Sequence, residues 1–535
     1  MIYELKSKGF WLDEAVDKLL DYLKEQGMDK GTIVCAAGMT PSAPIHFGIL
    51  REIAVSSFVA DELVRRCKKT RLIYYWDDYD HFCKIPYYTT REKVAEHIGK
   101  TLDEVPDFNG NFQSYGEHYM RDFEKCLHFC GFFPDYNYQA RLYKSGWYTD
   151  FIRKAIKNRE KIFRIVHHSK DLDSPEMQER CKSYYPLEIY CEHCGKDSTR
   201  TTGYDESSDT VSYECKECGK KGSYVLGKNF RGKLAWKINW ATRWTDDGVC
   251  FESSGENQLT DTGSYSVSSR IATEIFGGKV PFSLLYRFIG MPGIAKVSRA
   301  QGEKTLANNF VKVLEPAIIR WLLVKNPPNK AFSVDIDGGI VRIYHEWDVF
   351  CEKIEGGECT ETERRIYQIA TQGVEMSRVR VPFKTITTSL GITGGDREKT
   401  ALQMSKIVSF GGTPEELYMA VRPRINAAAY WLYHCGHTET EPSLRRSFNK
   451  NVWKTLPENI RGDVAALRNS VERLTTENEA KQTLYGIVCD DAERREFFRA
   501  LYLLILDTER GPKLATLLCL MPKEKLLMLL GGDEK

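Results

Sequence analysis

The chain has 535 residues, 42% of them hydrophobic, with 28 Tyr and 25 Phe, enough for several domains with substantial cores. Its 76 basic and 74 acidic side chains leave a formal charge of +2, which excludes a uniformly basic nucleic-acid coat; any such binding must come from local fields such as Arg65–Arg71 or Lys154–Arg164. No run approaches eighteen apolar residues, no signal-like pattern opens the chain, and sixteen cysteines without a secretory context imply reduced thiols, so a soluble cytoplasmic protein with no membrane partner is expected.

Thr32–Gly38 reads as a buried strand that ends in glycine, and Leu50–Val64 has helical periodicity. The turn between them, Pro41-Ser42-Ala43-Pro44-Ile45-His46-Phe47-Gly48, brings His46 and Gly48 to a helix N-terminus, where backbone N–H groups and an imidazole suit a polyphosphate. Attack of a carboxylate on an α-phosphate piles charge on phosphate oxygens, and fixed donors stabilise it. The other reading of His46, between Ile45 and Phe47, is a packed core histidine. Arg71–Trp76 is a second buried strand, ending on Asp77-Asp78-Tyr79-Asp80. Strand, helix and strand at this spacing predict a doubly wound parallel sheet with its chemistry at the carboxyl edge. Asp77 is expected to face the cleft and hold a substrate α-ammonium; capping of the loop, or pairing with Lys84, is the alternative.

From Pro86 to Ala235 the pattern breaks into aromatic-rich helices and a cysteine module, as in an insertion. Cys191-x-x-Cys194 and Cys215-x-x-Cys218, each followed by glycine, form two knuckles suited to one tetrahedral, structural Zn²⁺; two redox or unpaired thiol pairs are the alternative. Strand signals return at Leu234–Trp240 and Val249–Glu252, and Trp236, Trp240, Trp244 and Arg243 read as core and rim residues. Lys296-Val297-Ser298-Arg299, after Gly290 and Gly293, has the composition of a mobile basic loop; with the His46 turn it makes a coherent phosphate clamp. Asn309–Val324 reads as a helix, a short strand pair falls within Phe332–Tyr344, and helices follow from His345. Asn326-Pro327-Pro328-Asn329 and Gly394-Gly395-Asp396 are the linker candidates.

Gly38–Ser42 with His46-Phe47-Gly48 resembles the HIGH box of class I aminoacyl-tRNA synthetases, and Lys296–Ala300 resembles their KMSKS loop. Arg51-Glu52, Trp76–Asp80, Pro106-Asp107, Tyr115–His118, Tyr143–Gly146, Gly263–Tyr265, Val313–Pro316 and Phe497–Tyr502 extend the resemblance to the class I lysyl-tRNA synthetases over nearly the whole chain. The resemblance implies an α/β, Rossmann-like parallel-sheet catalytic domain over residues 1–305, interrupted at 86–235 by a connective insertion with a zinc module at 188–222. A stem-contact region at 306–390 and an all-helical anticodon-binding domain at 391–535 follow. It implies ATP-dependent attachment of lysine to its tRNA through a lysyl-adenylate, with Mg²⁺, by a chain read as a monomer. Pro41, Ser42, His46, Gly48, Lys296 and Ser298 would hold ATP, with His46, Gly48, Lys296, Ser298 and Arg299 as the catalytic set. By the same analogy Gly38, Thr40, Trp236 and Tyr286 line the amino-acid pocket, with Asp77 and Gln258 beside them. The sequence departs from the family where Gly255-Glu256-Asn257-Gln258 replaces Gly-Lys-Asp-His and where Ile49 closes the HIGH-like box. Those departures leave open a paralogue that activates another amino acid or carrier, and a non-catalytic tRNA-binding protein.

Overall fold

The structure, a computed structural model, describes residues 2–6, 9–86, 88–168, 170–294, 305–435 and 444–531. Its chain divides into two units: Met1–Phe310 with Ile319–Asp335 and Thr360–Gly373, and Val311–Ile318 with Ile336–Cys359 and Val374–Lys535.

The first unit is built on the expected parallel sheet. Strand β1 (Ile33–Met39) runs into helix α1 (Leu50–Arg65), then β2 (Thr70–Trp76), α2 (Tyr115–Phe129) and β3 (Asp135–Tyr138); α3 (Trp236–Asp246) precedes β4 (Val249–Glu252). The strand order is β4-β1-β2-β3, all parallel, and Ile33–Met39 pairs in continuous register with Thr70–Trp76. The run Ile-Val-Cys-Ala-Ala in β1 is buried throughout, the signature of a strand covered on both faces. Two further strands, β5 (Ser254–Gly255) and β6 (Ser283–Tyr286), pair in parallel with each other, and β6 also pairs with the short N-terminal strand Ile2–Tyr3. Met39, Trp76, Glu252, Gly255 and Tyr286 therefore end their strands at the carboxyl side of parallel ladders. Strand β3 is contributed from within residues 86–235.

Three expected elements differ. Of the stretch read as the strand Leu234–Trp240 only Leu234, the last residue of the strand Gly232–Leu234, is in a strand, and from Trp236 the chain is the helix α3. Trp236, Trp240 and Trp244 recur at the i, i+4 spacing of a helix, and their rings pack in sequence at 5.3 and 4.7 Å. Within Phe332–Tyr344 only Phe332–Ser333 is strand, and Ile340–Glu355 is helical because Ile340, Ile343, Tyr344 and Trp347 repeat at three and four and are buried. The Asn309–Val324 helix is two, Ala307–Val313 and Pro316–Lys325, with Pro316 in the first turn of the second. Asn326–Asn329 is docked, not a free linker: buried Arg51 donates to the carbonyls of Pro327 and Lys330, at 2.6 and 3.1 Å, and Arg287 N–H to that of Pro328.

Among the described residues no helix is long and apolar enough to cross a membrane. The second unit is helical, as expected of the C-terminal region. Its last helices close on Phe497, Leu501, Leu504, Leu514 and Leu517. Capping boxes at Thr413/Glu416 and Thr476/Glu479 satisfy orphan N–H groups at two helix starts. In the helix Pro414–Tyr433, Pro423 interrupts the ladder: Arg424 N–H turns to Ser377 Oγ and Arg378 N–H takes over the Ala420 carbonyl. The Arg424 side chain is fully buried between Glu315, at 2.7 Å, and Asp348, at 2.8 and 2.9 Å, over the Tyr344 ring. Arg424→Ala strands two carboxylates and is expected to cost about 3–5 kcal/mol, read as a lower midpoint in chemical denaturation. Arg422→Ala, which breaks an exposed pair with Glu375, should cost under about 1 kcal/mol.

Candidate active site

The end of β1 approaches β2 so closely that a Cβ on Gly38 would lie 2.6 Å from the Tyr75 carbonyl oxygen, so only glycine fits there. Gly38 N–H donates to Glu52 Oε1 at 3.3 Å, and the Tyr286 hydroxyl donates to Glu52 Oε2 at 2.8 Å. Two residues of the expected amino-acid pocket, Gly38 and Tyr286, are thus joined by one carboxylate in the first turn of α1 that the pattern of the sequence did not single out. Burial raises the Glu52 carboxyl to about 7; the Tyr286 hydrogen bond opposes the shift, and the nearby Glu252 adds to it.

The turn that follows is fixed from several sides. Pro41 and Ser42 are buried, and Ser42 O accepts the Tyr115 hydroxyl. The His46 imidazole lies against Gly48, where a Cβ would stand 3.0 Å from His46 Nδ1. Ala307 N–H donates to Ile45 O at 2.8 Å, His46 forms an antiparallel bridge with Leu306, and Phe47 stacks on Phe310 at 4.4 Å. Lys296, Ser298 and Arg299 lie outside the described residues. The chain leaves the described part at Ile294, paired with Met291, and re-enters at Thr305, one residue before the bridge to His46. An open cavity of about 310 Å³ flanks the turn, with Pro44, Ile45, Tyr88, His118, Tyr119 and Leu306 among its walls.

Each acid of the block after β2 has a specific partner. Asp77 is buried against the Arg243 guanidinium and not Lys84. Arg243, itself buried, lies over the rings of Tyr75 and Trp236 at 5.1 and 5.5 Å, and loss of solvent lowers it to about 10. Behind it Glu252 accepts the indole N–H groups of Trp240 and Trp244 at 3.0 and 2.6 Å. Trp236 keeps 36% of its surface exposed. Asp78 accepts the Ala140 N–H at 2.8 Å, and burial raises its carboxyl to about 7. Asp80 takes the Thr40 hydroxyl at 3.4 Å and the Lys233 ammonium at 2.7 Å; although burial opposes it, the Lys233 charge holds Asp80 below the usual range. Gln258 turns its Oε1 back onto Gly255 N–H at 3.0 Å, and Gly255 pairs with Tyr286 across the β5–β6 ladder. The expected pocket residues therefore fall into three linked groups: Gly38–Glu52–Tyr286, Thr40–Asp80–Lys233 and Trp236–Arg243–Asp77.

The cysteine module is a three-stranded antiparallel ribbon, Thr199–Asp205, Thr210–Cys215 and Lys221–Val225; the first knuckle precedes it and the second forms the turn between its second and third strands. The knuckles repeat one geometry: Gly195 N–H bonds to Cys191 O and Gly219 N–H to Cys215 O, both glycines at positive φ. All four sulfurs lie within 4.8 Å of one another, with Cys191–Cys218 and Cys194–Cys215 both at 3.7 Å, and all are free thiols. A tetrahedron with metal–sulfur distances of about 2.3 Å has edges of about 3.8 Å, so the four thiolates fit one ion. Asp80, His81 and Glu188 also converge, but Lys233 already supplies the cation there, 2.7 Å from Asp80 and 3.4 Å from Glu188.

Residues 9–373 match the family described as tRNA synthetases class I (K). A lysine–tRNA ligase of Streptomyces coelicolor is 29% identical over 97% of this chain and 98% of its own length. One of Pyrococcus horikoshii is 31% identical over 95% and 96%, and one of Treponema pallidum 28% identical over 97% and 98%.

The four-sulfur site carries its own test. Cys194→Ser should abolish stoichiometric metal in the purified chain, by elemental analysis, and lower its melting temperature by several degrees, whereas Cys181→Ser should do neither.

Proposed function

The chain belongs to the class I (K) tRNA synthetases, and we propose that it attaches lysine to tRNA through an enzyme-bound lysyl-adenylate. The observation that carries the reading is the end-to-end match to lysine–tRNA ligases, which covers 97% of this chain and 98% of the Streptomyces coelicolor relative. The lysine carboxylate attacks the α-phosphorus of ATP, the bond to the β-phosphate oxygen breaks and pyrophosphate leaves. A terminal ribose hydroxyl of the tRNA then attacks the adenylate carbonyl, loses its proton, and AMP departs.

The residues take roles by position. The turn around Pro41 and Ser42 would present His46 and the N–H groups near Gly48 to the phosphates, and the basic Lys296 and Arg299 with Ser298 would bind the departing pyrophosphate. Mg²⁺ accompanies the nucleotide. Gly38, Thr40, Trp236 and Tyr286 shape the lysine pocket, Asp77 orients the α-ammonium, and Gln258 acts through Gly255. Asp77 has Arg243 and Asp80 has Lys233, whereas Glu52 and Asp78 have no cation beside them among the described residues; of the two, Glu52, bonded to Gly38 and Tyr286 of the expected pocket, is the carboxylate suited to the side-chain ammonium of lysine. The four cysteines would hold Zn²⁺, which supplies structural rigidity to the insertion and, with no open position, no chemistry. Residues 306–390 would contact the tRNA stem and 391–535 the anticodon, in a cytoplasmic protein whose sixteen cysteines are all thiols.

ATP–pyrophosphate exchange across the standard amino acids, with tRNA present, should give lysine the highest kcat/KM; another amino acid in its place, or no exchange, overturns the reading. Because Glu52 titrates near 7, it is neutral below that pH and charged above it, whereas the lysine side chain stays cationic throughout. KM for lysine should therefore fall as pH rises from 6 to 8. Glu52→Gln should raise KM about tenfold or more and flatten the profile, and a variant that kept the slope would remove Glu52 from the pocket.

A further inference from the structure

Lys233 holds a position that the proposed chemistry leaves unused. It is the middle residue of the strand Gly232–Leu234, which pairs antiparallel with Leu187–Ile189 and sets Lys233 directly opposite Glu188. Its side chain is 6% exposed, and its ammonium lies 2.7 Å from Asp80 Oδ1 and 3.4 Å from Glu188 Oε2, whose side chains keep 28% and 36% of their surface in solvent. The cation is enclosed, and the two carboxylates that enclose it reach water. Although burial opposes it, Glu188 and Asp80 hold the ammonium charged, well above the usual lysine range. Asp80, Glu188 and the neighbouring His81 present polar atoms within 4.8 Å of one another, a nest for one small cation, and Lys233 fills it.

The nest adjoins the pocket proposed for lysine. Asp80 Oδ2 accepts the Thr40 hydroxyl at 3.4 Å, and Gly38 N–H, two residues earlier, donates to Glu52. Two carboxylate sites therefore flank the stretch Gly38–Thr40, separated along the chain by roughly 6–7 Å of extended backbone, a span that the four methylenes of one lysine cover. The substrate and Lys233 carry the same head group. With the nest empty, a substrate ammonium would have two receptors, and only the one at Glu52 belongs to the productive pose. A pocket discriminates by closing wrong registers as well as by improving the right one. Support of the three-residue ladder does not account for the arrangement, because the cross-strand pair with Glu188 serves that purpose and Asp80 is no part of the ladder.

We propose that Lys233 is a specificity-determining residue: its ammonium occupies the Asp80–Glu188 nest, denies it to the ammonium of the substrate, and so leaves that ammonium to Glu52. This role rests on the lysine activation proposed above; the existence of an ammonium nest at Asp80 and Glu188 does not.

The test uses the full-length chain and n-propylamine, which supplies the three methylenes and the ammonium that Lys233→Ala removes. In ATP–pyrophosphate exchange with tRNA present, Lys233→Ala should lower kcat and KM for lysine together, about fivefold or more each, and leave kcat/KM within about threefold, because substrate held in a wrong register is bound but inert. Saturating propylamine should raise kcat of the variant about threefold or more and leave kcat of the parent unchanged; n-propanol, of similar size and uncharged, should not raise it. A raised KM in the variant, or a kcat indifferent to propylamine, reduces Lys233 to a support of its ladder and overturns the proposal. Lys233→Ala/Glu188→Gln strands one carboxylate instead of two and carries the same expected response to propylamine, so the outcome does not hang on the stability of the single variant. Apart from activity, propylamine should raise the melting temperature of both variants by about 2 °C or more beyond its effect on the parent; equal shifts overturn the proposal. Variants stabilised by the amine, in a chain whose parent activates no lysine, would remove the ligase reading and the role of Lys233 with it while keeping the nest. A parent active on lysine with variants indifferent to the amine would keep the ligase reading and remove the nest.

Discussion

The hydrogen bond from Ala307 to Ile45, with the neighbouring bridge between Leu306 and His46, is the constraint around which the first unit is organised. It ties the turn after the first long strand to a segment from the far end of the same unit. Phe47 on Phe310 closes the apolar side of that junction, and Arg51, one turn into α1, reaches the Pro327 and Lys330 carbonyls. Groups that stabilise charge on a reacting phosphate must be in place before the charge appears, since reorganising them during the reaction would forfeit most of their effect. For the role proposed for this turn, that placement would come from backbone pairing between remote stretches in addition to the bonds within the turn.

The same unit gathers an unusual number of buried charges at one edge of the sheet. A desolvated carboxylate or guanidinium is costly unless a partner and further hydrogen bonds compensate it. Arg243 with Asp77, and Lys233 between Asp80 and Glu188, are compensated in this way, and each pair stitches a different stretch of chain to the strand ends. Among the described residues Glu52 and Asp78 have no such cation, and Asp78 is held by the backbone N–H of Ala140. Glu52 faces different groups. Its two hydrogen bonds come from a neutral hydroxyl and an amide, and its carboxyl sits near 7. A carboxylate left without a cation in the resting protein is a local cost to stability that a cationic ligand relieves, which is why perturbed groups of this kind gather at binding sites.

Much of this was legible in the sequence because it is encoded locally. The glycine-ended strand, the turn, the helix and the second strand follow from periodicity, and the cysteine knuckles follow from spacing alone. The apolar stretch from Leu234 is ambiguous in sequence, because Trp, Ile and Trp at alternating positions satisfy a strand template while the indoles at 236, 240 and 244 satisfy a helical one; the rings pack along the helix face. The stretch after Phe332 is ambiguous for the same reason. The partners of Asp77 and Asp80 lie more than a hundred residues away in sequence, and no pattern in the block itself names Arg243 or Lys233. Glu52 looked like an ordinary acidic residue in a first helical turn, since its contacts with Gly38 and Tyr286 exist only once three elements have met.

The departures at positions 257 and 258 take on a definite meaning in this geometry. Gln258 closes a capping turn on Gly255 N–H, and Gly255 is the register partner of Tyr286, whose hydroxyl holds Glu52. A Cβ on Gly255 would stand 3.3 Å from that hydroxyl, so the backbone here forms part of the wall around it. An amide serves this capping role without an ionisable ring, because the turn needs only an acceptor for one N–H. Asn257 points to solvent and places no demand on the pocket. The polar groups around Glu52 thus come from β1, α1 and β6, and the segment 255–258 bears on them through its pairing with Tyr286. With glutamine at 258 the Gly38–Glu52–Tyr286 chain of hydrogen bonds is in place.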